Sequence, residues 1–388
     1  MAQERLADTG YCLLKKETTK ATAVTPNIGM ALMEESLAEE LNLDESDPII
    51  GQKGMRHKNY MGLRTYRGQL RFLLEPNTFA YVADMLLTRL STTGSGPYTH
   101  LYGLSNTVNP NSYTVDLLRG QVVYRFFGLE ARQAAESFNK NKAEVAVDVT
   151  ARGCFSGVKI ASVAANVLTL DTTYNPNPTA GLVAADVIRL HLAGGTTVDT
   201  TVTSFTATTV TVGSAGAVAA GDTLALRAQT PTLSILDPVM WARSEYRFGA
   251  TASAALSAAH TPIEPGSGNW TIKHLMADDG GQMRSGSFDP ASLVRTNGDV
   301  EIRTTQFFDS PSTEATFLGM VKNALVVRHF VGSTYEVRLT INNAKATAKP
   351  NALKNSQIIY DAFTWRPEYD DTDAQMFSLT VINNIATI

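Results

Sequence analysis

The chain has 388 residues, of which 44% are hydrophobic and 18% are charged, and its formal net charge is -4. This hydrophobic fraction excludes an intrinsically disordered chain, and the length suits two or three domains that each bury a core. The negative net charge excludes a basic nucleic-acid coat, and the charged fraction is below the roughly 25% of typical soluble domains. Much of the surface is therefore predicted to be neutral or to be buried against other subunits.

The two cysteines, Cys12 and Cys154, are too few for a disulfide scaffold or a cysteine-rich zinc site. The first ten residues, MAQERLADTG, lack the apolar stretch of a signal peptide. No run of about 18 apolar residues predicts a membrane helix. We therefore expect no membrane anchor and synthesis in the cytoplasm.

Charges of opposite sign are separated between residues 20 and 75. No basic residue lies between Lys20 and Lys53, and no acidic residue lies between Lys53 and Glu75. One interpretation is a solvated acidic segment beside a solvated basic strand. The other is a self-complementary surface on which identical subunits dock. The candidate residues for such contacts are Glu39, Glu40, Asp44, Glu45, Asp47, Lys53, Arg56, Lys58, Arg64 and Arg67.

A strand followed by a helix is predicted next. Residues 66–74 alternate as a strand, Glu75-Pro76 interrupts it, and Pro suits the first turn of a helix. An apolar stripe at helical spacing then extends the predicted helix to Leu90. The stripe consists of Phe79, Val82, Ala83, Leu86, Leu87 and Leu90. Further strands are predicted at 121–127 and 143–149.

Residues 156–230 contain few charges and are rich in Thr, Val, Ala and Gly. Segments of period two, separated by turn residues, predict short strands with no helix. These segments are 166–170, 186–190, 209–212 and 222–226. We interpret 156–230 as a small β-domain inserted into the chain.

The order of strand, proline break, helix and two strands recurs after the insert. Residues 296–304 alternate, Asp309-Ser-Pro311 interrupts them, and strands follow at 335–341 and 357–363. The second predicted helix has Ser312 or Thr313 as its cap and an apolar stripe of Phe317, Leu318, Val321 and Leu325. The pattern predicts two copies of one mainly β unit, residues 1–155 and 231–388, around the insert. The alternative is chance recurrence of strand-helix-strand patterns.

The sequence shows no motif for catalysis or metal binding. The six histidines have no i, i+4 pair and no neighbouring cysteine, and neither a Walker loop nor a nucleophile elbow occurs. The acidic run Glu368-Tyr-Asp-Asp-Thr-Asp lacks the Gly and Glu positions of an EF-hand loop, so we interpret it as a solvated turn. We expect no enzyme activity, no metal and no cofactor.

Two stretches before the first predicted helix form a recognisable pattern. The first is Ala23-Val-Thr-Pro, followed by an acidic run and Asp47-Pro-Ile-Ile-Gly, and the second is Gly68-Gln-Leu-Arg-Phe-Leu-Leu-Glu-Pro. In these stretches the chain resembles the tail tube (major tail) proteins of long-tailed bacteriophages. The resemblance implies a β-sandwich-like unit with a flanking helix, whose sheet joins those of neighbouring subunits into an inner β-barrel. Together with the internal repeat, it predicts two such units in tandem in each chain. Rings of such subunits stack into a hollow tube, and a loop corresponding to residues 41–67 commonly bridges to the adjacent ring.

The resemblance also implies the partners and the location. The chain would bind itself in rings, with three chains in a pseudo-sixfold ring favoured over six, and would contact a tape measure and a tail terminator in the virion tail. DNA would pass through transiently and without specificity, which requires a wall of low positive charge. The candidate lumen-facing residues, which occupy strands or strand ends, are Asp116, Glu144, Asp148, Glu301 and Asp361.

Two other functions compete with the tube. One is a β-rich tail or baseplate adhesin whose insert binds a host-surface glycan, although the insert has only Tyr174 and Phe205 as aromatic residues for stacking on sugars. The other is an enzyme of unrecognised type, such as a hydrolase, which would need convergent polar residues in a pocket.

Overall fold

The structure of the protein is a computed structural model. It describes residues 10–46, 58–105, 109–139, 141–173, 175–257, 265–276, 293–307, 322–348, 360–371 and 374–388. The described chain is mainly β, as predicted, and its strands form one large sheet system and a separate closed barrel. We refer to residues 10–155 as the first half and to residues 231–388 as the second half.

The first half contains one helix, α1 (Pro76–Leu86), among its described residues. Its strands are β1 (Tyr11–Lys16), β2 (Ile28–Met30), β3 (Glu34–Glu35), β4 (Ala38–Ser46), β5 (Lys58–Leu73), β6 (Thr88–Thr93), β7 (Tyr98–Gly103), β8 (Tyr113–Arg119), β9 (Val122–Asn139), β10 (Lys142–Ala151) and β11 (Gly153–Phe155).

The remaining strands follow in chain order. The barrel consists of β12 (Val158–Ala164), β13 (Val167–Leu170), β14 (Val187–His191), β15 (Thr197–Phe205), β16 (Thr209–Val212) and β17 (Thr223–Leu226). The second half contributes β18 (Ser244–Gly249), α2 (Ala252–Leu256), β19 (Pro265–Met276), β20 (Arg295–Phe307), β21 (Asn323–Val331), β22 (Tyr335–Ala348), β23 (Tyr360–Pro367) and β24 (Ser378–Asn383).

Eight strands form what we call the long sheet, in the order β4–β5–β10–β9–β19–β20–β23–β22. The first four strands belong to the first half and the last four to the second half. The halves meet where β9 pairs with β19, with Ala135 opposite Thr271 and Gln133 opposite Lys273. The long sheet is therefore continuous across the two halves.

Two shorter sheets extend from the long sheet. The first has the order β2–β1–β8–β9–β11, and the second has the order β18–β21–β22–β24–β7–β6. Both halves thus repeat one order of pairings, since β1–β8–β9–β11 matches β18–β21–β22–β24. The hairpin β6–β7 of the first half completes the short sheet of the second half.

Strand β9 belongs to both sheets of the first half and bends between them. Its first part pairs with β8 up to Leu129, and its second part pairs with β10 from Glu130. Gly128 lies at the bend with φ of 63°, and a Cβ atom there would lie 2.8 Å from Cβ of Arg152. Glycine is required at this position because both the conformation and the space exclude a side chain.

Helix α1 is buried along its whole length between the sheets. Glu75 caps its N-terminus, accepting hydrogen bonds from the backbone N–H groups of Asn77 and Thr78. Its C-terminal carbonyls accept from the second half, where Arg295 donates to Met85 (2.6 Å) and Leu86 (3.2 Å). A cation at this end also suits the helix dipole.

The predicted helix from Pro76 is confirmed, but its predicted end at Leu90 is wrong. The helix ends at Leu86, and Leu90 lies in β6 with 48% of its surface exposed. The sequence Thr88-Arg-Leu-Ser-Thr-Thr favours a strand over a continued helix. Its pairing with β7 stabilises the strand.

The second predicted helix falls largely on residues 308–321, which lie outside the described residues. Its last predicted apolar position, Leu325, is in β21 and is paired with Ile341. The predicted helical role of Leu325 is therefore wrong, because β21 is a buried strand whose apolar run also matches helical spacing. The strands predicted at 296–304 and 335–341 are confirmed within β20 and β22.

The insert forms a closed six-stranded barrel with its own apolar core. The four segments predicted as strands correspond to β13, β14, β16 and β17. Strands β12 and β15 were not among the predicted segments. The barrel core also includes Val123 and Phe155 of the first half, so the barrel shares buried surface with the sheet beneath it.

Candidate functional site: the polar face of the long sheet

One face of the long sheet is buried and the other is polar. Along β10, the side chains of Val145, Val147 and Val149 pack in the core, whereas Ala146 and Asp148 lie on the opposite face. This alternation follows from the period of two along a strand. The polar face includes Gln69, Arg71, Gln133, Ala135, Glu144, Ala146, Asp148, Thr271, Lys273, Asp299, Glu301, Arg303 and Arg366.

The polar face continues without interruption from one half to the other. Arg71 lies opposite Ala146, which lies opposite Ala135. Ala135 in turn lies opposite Thr271, which lies opposite Glu301. Because directly opposed residues point to one side of a sheet, these five residues form a single row across five strands.

Arginines on the polar face contact carboxylates on the same face. Arg71 Nε donates to Glu144 at 3.0 Å, and Arg71 also lies 3.5 Å from Glu34. Glu301 accepts from both Arg303 (2.7 Å) and Arg366 (2.9 Å). Burial would raise the pKa of Glu301, but the hydrogen bonds from Arg366 and Arg303 outweigh it and lower that pKa. Three arginines of this face are therefore paired with carboxylates of the same face.

The outermost strands of the long sheet have one open edge each among the described residues. Strand β4 pairs with β5 on one side, and residues 345–348 of β22 pair with β23 on one side. Glu39, Glu40 and Leu41 of β4 are exposed. Unpaired strand edges present rows of N–H and C=O groups that can pair with another chain.

Strands β4 and β5 also extend as a two-stranded arm beyond the rest of the sheet. Residues 66–73 of β5 pair with β10, whereas residues 58–65 pair with β4 alone. Within the arm, Arg64 lies 3.5 Å from Glu39, so the acidic and basic segments partly neutralise each other inside one chain. A two-stranded ribbon is marginally stable by itself in water, so this arm suits docking on another subunit.

The contact residues predicted from sequence map mainly to this arm. Glu39, Glu40, Arg64 and Arg67 lie in β4 and β5. Asp44, Glu45 and Lys58 are in the same strands, although their side chains lie outside the described set. Asp47, Lys53 and Arg56 lie outside the described residues altogether.

Three of the five lumen candidates share the polar face, namely Glu144, Asp148 and Glu301. Asp148 accepts a hydrogen bond from Gln69 at 2.9 Å. Asp361 lies in β23, with its side chain outside the described set. The arginines paired on this face were not predicted as part of it, although the alternating positions of Arg71 in strand 66–74 and Arg303 in strand 296–304 carried that signal.

Asp116 does not share the polar face: its side chain is 0% exposed and lies beneath the barrel. It binds the Arg125 guanidinium through two hydrogen bonds of 2.7 and 2.9 Å. Arg125 also contacts Asp186 of the barrel, which accepts from Thr25 Oγ1 at 2.7 Å. Burial raises the pKa of Asp116, and the charge of Arg125 opposes that rise.

A groove of about 610 Å³ lies between β1, β8 and residues 30–35. Its lining is largely apolar and includes Cys12, Met30 and Leu233. The charged residues Glu35 and Arg119 in the lining bind each other at 2.7 Å. Burial raises the pKa of the Cys12 thiol, which favours its unreactive protonated form. The third charged residue in the lining, Glu34, lies 3.5 Å from Arg71, so the groove offers an apolar surface whose charged side chains are engaged in ion pairs.

Among the described residues, no group of three or more His, Cys, Asp or Glu side chains is arranged to hold a metal ion. In the same part of the chain, no helix has the length and apolar character needed to cross a membrane. No protein-family model matches the chain, and no curated protein matches it in sequence.

Proposed function

We propose that the chain is a structural subunit that assembles into rings, and that the rings stack into a hollow tube of the bacteriophage tail-tube type. The observation that carries the proposal is the continuity of the long sheet through the β9–β19 junction. In this proposal the two halves are tandem copies of one β-sandwich unit with a flanking helix, residues 1–155 and 231–388, separated by the barrel.

The internal junction supplies a template for contacts between chains. By the common order of pairings, β22 occupies the place of β9, and β4 occupies the place of β19. The open edge of β22 can therefore pair with β4 of a second copy as β9 pairs with β19. Such a heterologous contact generates a closed ring when the rotation per subunit divides the circle.

Charge complementarity supports this pairing. Strand β4 carries Glu39 and Glu40, whereas the open segment 345–348 of β22 carries Lys345 and no acidic residue. Opposite charges on paired strands stabilise the contact and specify its partner. Since each chain provides two units, three chains complete a pseudo-sixfold ring. Closure also removes the open edges that would otherwise aggregate.

The polar face then lines the lumen. Duplex DNA binds proteins chiefly through cations that neutralise phosphates. Here Arg71, Arg303 and Arg366 contact carboxylates of the same face, so less positive charge remains for phosphate. A wall whose arginines are held by carboxylates suits passage of DNA without retention. The arm of β4 and β5 would reach the adjacent ring.

Electron microscopy of the purified protein in negative stain, with mass photometry of its smallest ring, tests the proposal. We expect hollow tubes or rings of three chains. Rings of six chains would retain the tube but contradict the tandem units. The proposal itself would be contradicted if the chain stayed monomeric at high concentration, both alone and after addition of an initiator complex.

Cysteine cross-linking tests the edges directly. Leu41→Cys in β4, combined with a cysteine at 345, 346 or 347 in β22, should form disulfides between chains under oxidation and yield covalent species of up to three chains. The matched control combines Leu41→Cys with Ala135→Cys, because Ala135 already faces β19 within the chain. If the β4–β22 cysteine pairs and the control pair cross-linked to the same extent, the β4–β22 contact would not be formed.

A further inference from the structure

The described histidines fall into two groups by position. His100, His274 and His329 are buried, with 0%, 7% and 1% of their surfaces exposed, and each contacts the other half of the chain. His191 lies on β14 of the barrel and is partly exposed. When the pH falls into the acidic range, a histidine buried at such a contact would become charged in an apolar environment.

His100, on β7, holds the C-terminal segment of the second half. Its Nε2 lies 2.9 Å from the carbonyl oxygen of Ile385 and 3.2 Å from Oδ1 of Asn383, and its Nδ1 lies 3.0 Å from the Thr92 hydroxyl. A neutral ring satisfies these partners, since Nε2–H donates to Ile385 and Nδ1 accepts from Thr92. The charged groups around this ring are Arg89 on β6 and Asp84 on α1.

His274, on β19, holds the C-terminus of α1. Its Nδ1 lies 3.0 Å from the carbonyl oxygen of Leu86, which also accepts from Arg295 at 3.2 Å. The surrounding charges are Arg295 of β20 and Lys20, both of which contact Glu130 of β9. A charged His274 would therefore lie beside the guanidinium of Arg295, which already binds the Leu86 carbonyl.

His329 differs from the other two because it faces a carboxylate. Its Nε2 lies 3.0 Å from Glu136 of β9, and the same nitrogen accepts from Trp270 Nε1 at 3.2 Å. Its Nδ1 lies 2.9 Å from the hydroxyl of Ser244. The Nε2 atom of His329 therefore has both a carboxylate and an indole N–H within reach, which sets this ring apart from His100 and His274.

We propose that His100 and His274 form a proton-sensitive latch between the two halves of the chain, closed when both rings are neutral and weakened when they gain protons. Burial lowers the pKa of His100. Burial also lowers the pKa of His274, and Arg295 lowers it further. Each ring therefore binds its proton more readily in the opened chain, and the stability of the contact falls as the pH drops below about 6.5. The latch acts within one chain and does not depend on ring formation.

Hydrogen–deuterium exchange of the full chain at pH 7.5 and pH 5.0, corrected for the intrinsic effect of pH, tests the latch. We expect peptides covering β7, β19 and β24 to exchange about tenfold faster at pH 5.0, because protonation of the two rings favours the opened chain. Barrel peptides covering β14 and β15 should change much less. Equal protection of β7, β19 and β24 at both pH values would overturn the proposal.

Variants assign the effect to the two rings. His100→Gln combined with His274→Gln should reduce the pH dependence at β7, β19 and β24, because glutamine retains a hydrogen-bonding group and does not titrate. His191→Gln is the matched control and should behave as wild type. A double variant with the full pH dependence would also overturn the latch. If the double variant does not fold, the exchange of the wild-type chain at pH 7.5 and pH 5.0 tests the latch by itself.

Discussion

Single buried side chains hold this protein together where its strands change direction. Glu17, with 6% of its surface exposed, accepts hydrogen bonds from the backbone N–H groups of Ala21 and Gly128, both at 2.7 Å. It also accepts from the hydroxyls of Ser112 and Thr114. One carboxylate therefore ties two segments, residues 17–21 and 112–114, to the bend of β9.

Replacing Glu17 with Gln should destabilise the chain by about 2 kcal/mol, because an amide NH2 would face donors that need an acceptor. Chemical denaturation measures the change. The control is Glu40→Gln on the exposed strand β4, for which we expect a change of at most about 0.5 kcal/mol. Equal effects of the two substitutions would contradict the role assigned to Glu17.

The barrel and the first half are joined by a buried ionic group. Arg125 lies between Asp116 and Asp186, and all three side chains are almost fully buried. Removing Arg125 leaves two carboxylates without their cation, so Arg125→Ala should cost about 3–5 kcal/mol. Arg189→Ala, which breaks the exposed pair with Asp199, should cost at most about 1 kcal/mol. Thermal denaturation of the two variants compares them, and similar losses would contradict a burial effect.

At the scale of elements, the barrel is attached through packed surface as well as through charge. Val123 and Phe155 belong to the first half yet lie in the barrel core. The inserted β-domain predicted from the sequence is therefore not fully separate from the first half, since its removal uncovers apolar side chains. The long sheet and its edges, in contrast, involve no barrel strand.

Deleting 157–230 with a short Gly-Ser linker should lower stability by about 3 kcal/mol through exposure of Val123 and Phe155, and ring formation should persist. Mass photometry and thermal denaturation measure the two effects. A second deletion variant carrying Val123→Thr controls for insolubility caused by the new apolar surface. Loss of rings in both deletion variants would show that the barrel takes part in assembly.

At the scale of the whole molecule, the two halves are joined by more than the chain between them. The β9–β19 junction unites the long sheet, β7 pairs with β24 in the short sheet, and Arg295 binds the end of α1. The hairpin β6–β7 has no counterpart among the described strands of the second half. The proposed contact between chains would therefore lack the second strand pairing that the internal junction has.

Reversing charge on the polar face should create DNA binding. Glu301→Lys adds a cation and releases Arg303 and Arg366, so binding of a short duplex should appear and weaken steeply between about 50 and 200 mM salt. Fluorescence anisotropy measures it. Asp199→Lys on the barrel is the matched control, because Asp199 also contacts two arginines, Arg189 and Arg227. Equal binding by both variants would contradict a lumenal role for the polar face.

Local patterns in the sequence determined the strands, the barrel segment and the start of α1. Period-two alternation marks a strand wherever one face is buried, and Glu75-Pro76 marks a helix start through its cap and the fixed φ of proline. Alternation in β10 also separated Glu144 and Asp148 from the core valines. These features depend on neighbours along the chain, so they can be read without the fold.

Only the tertiary structure decided how distant segments meet. The pairing of β9 with β19, the ion pairs of Arg125 and the buried positions of His100 and His274 join residues far apart in sequence. Asp116 shows what sequence alternation cannot predict. Alternation places Asp116 on one side of β8, but it cannot reveal that the barrel covers that side. Periodicity specifies the face of a strand, whereas long-range packing specifies what that face contacts.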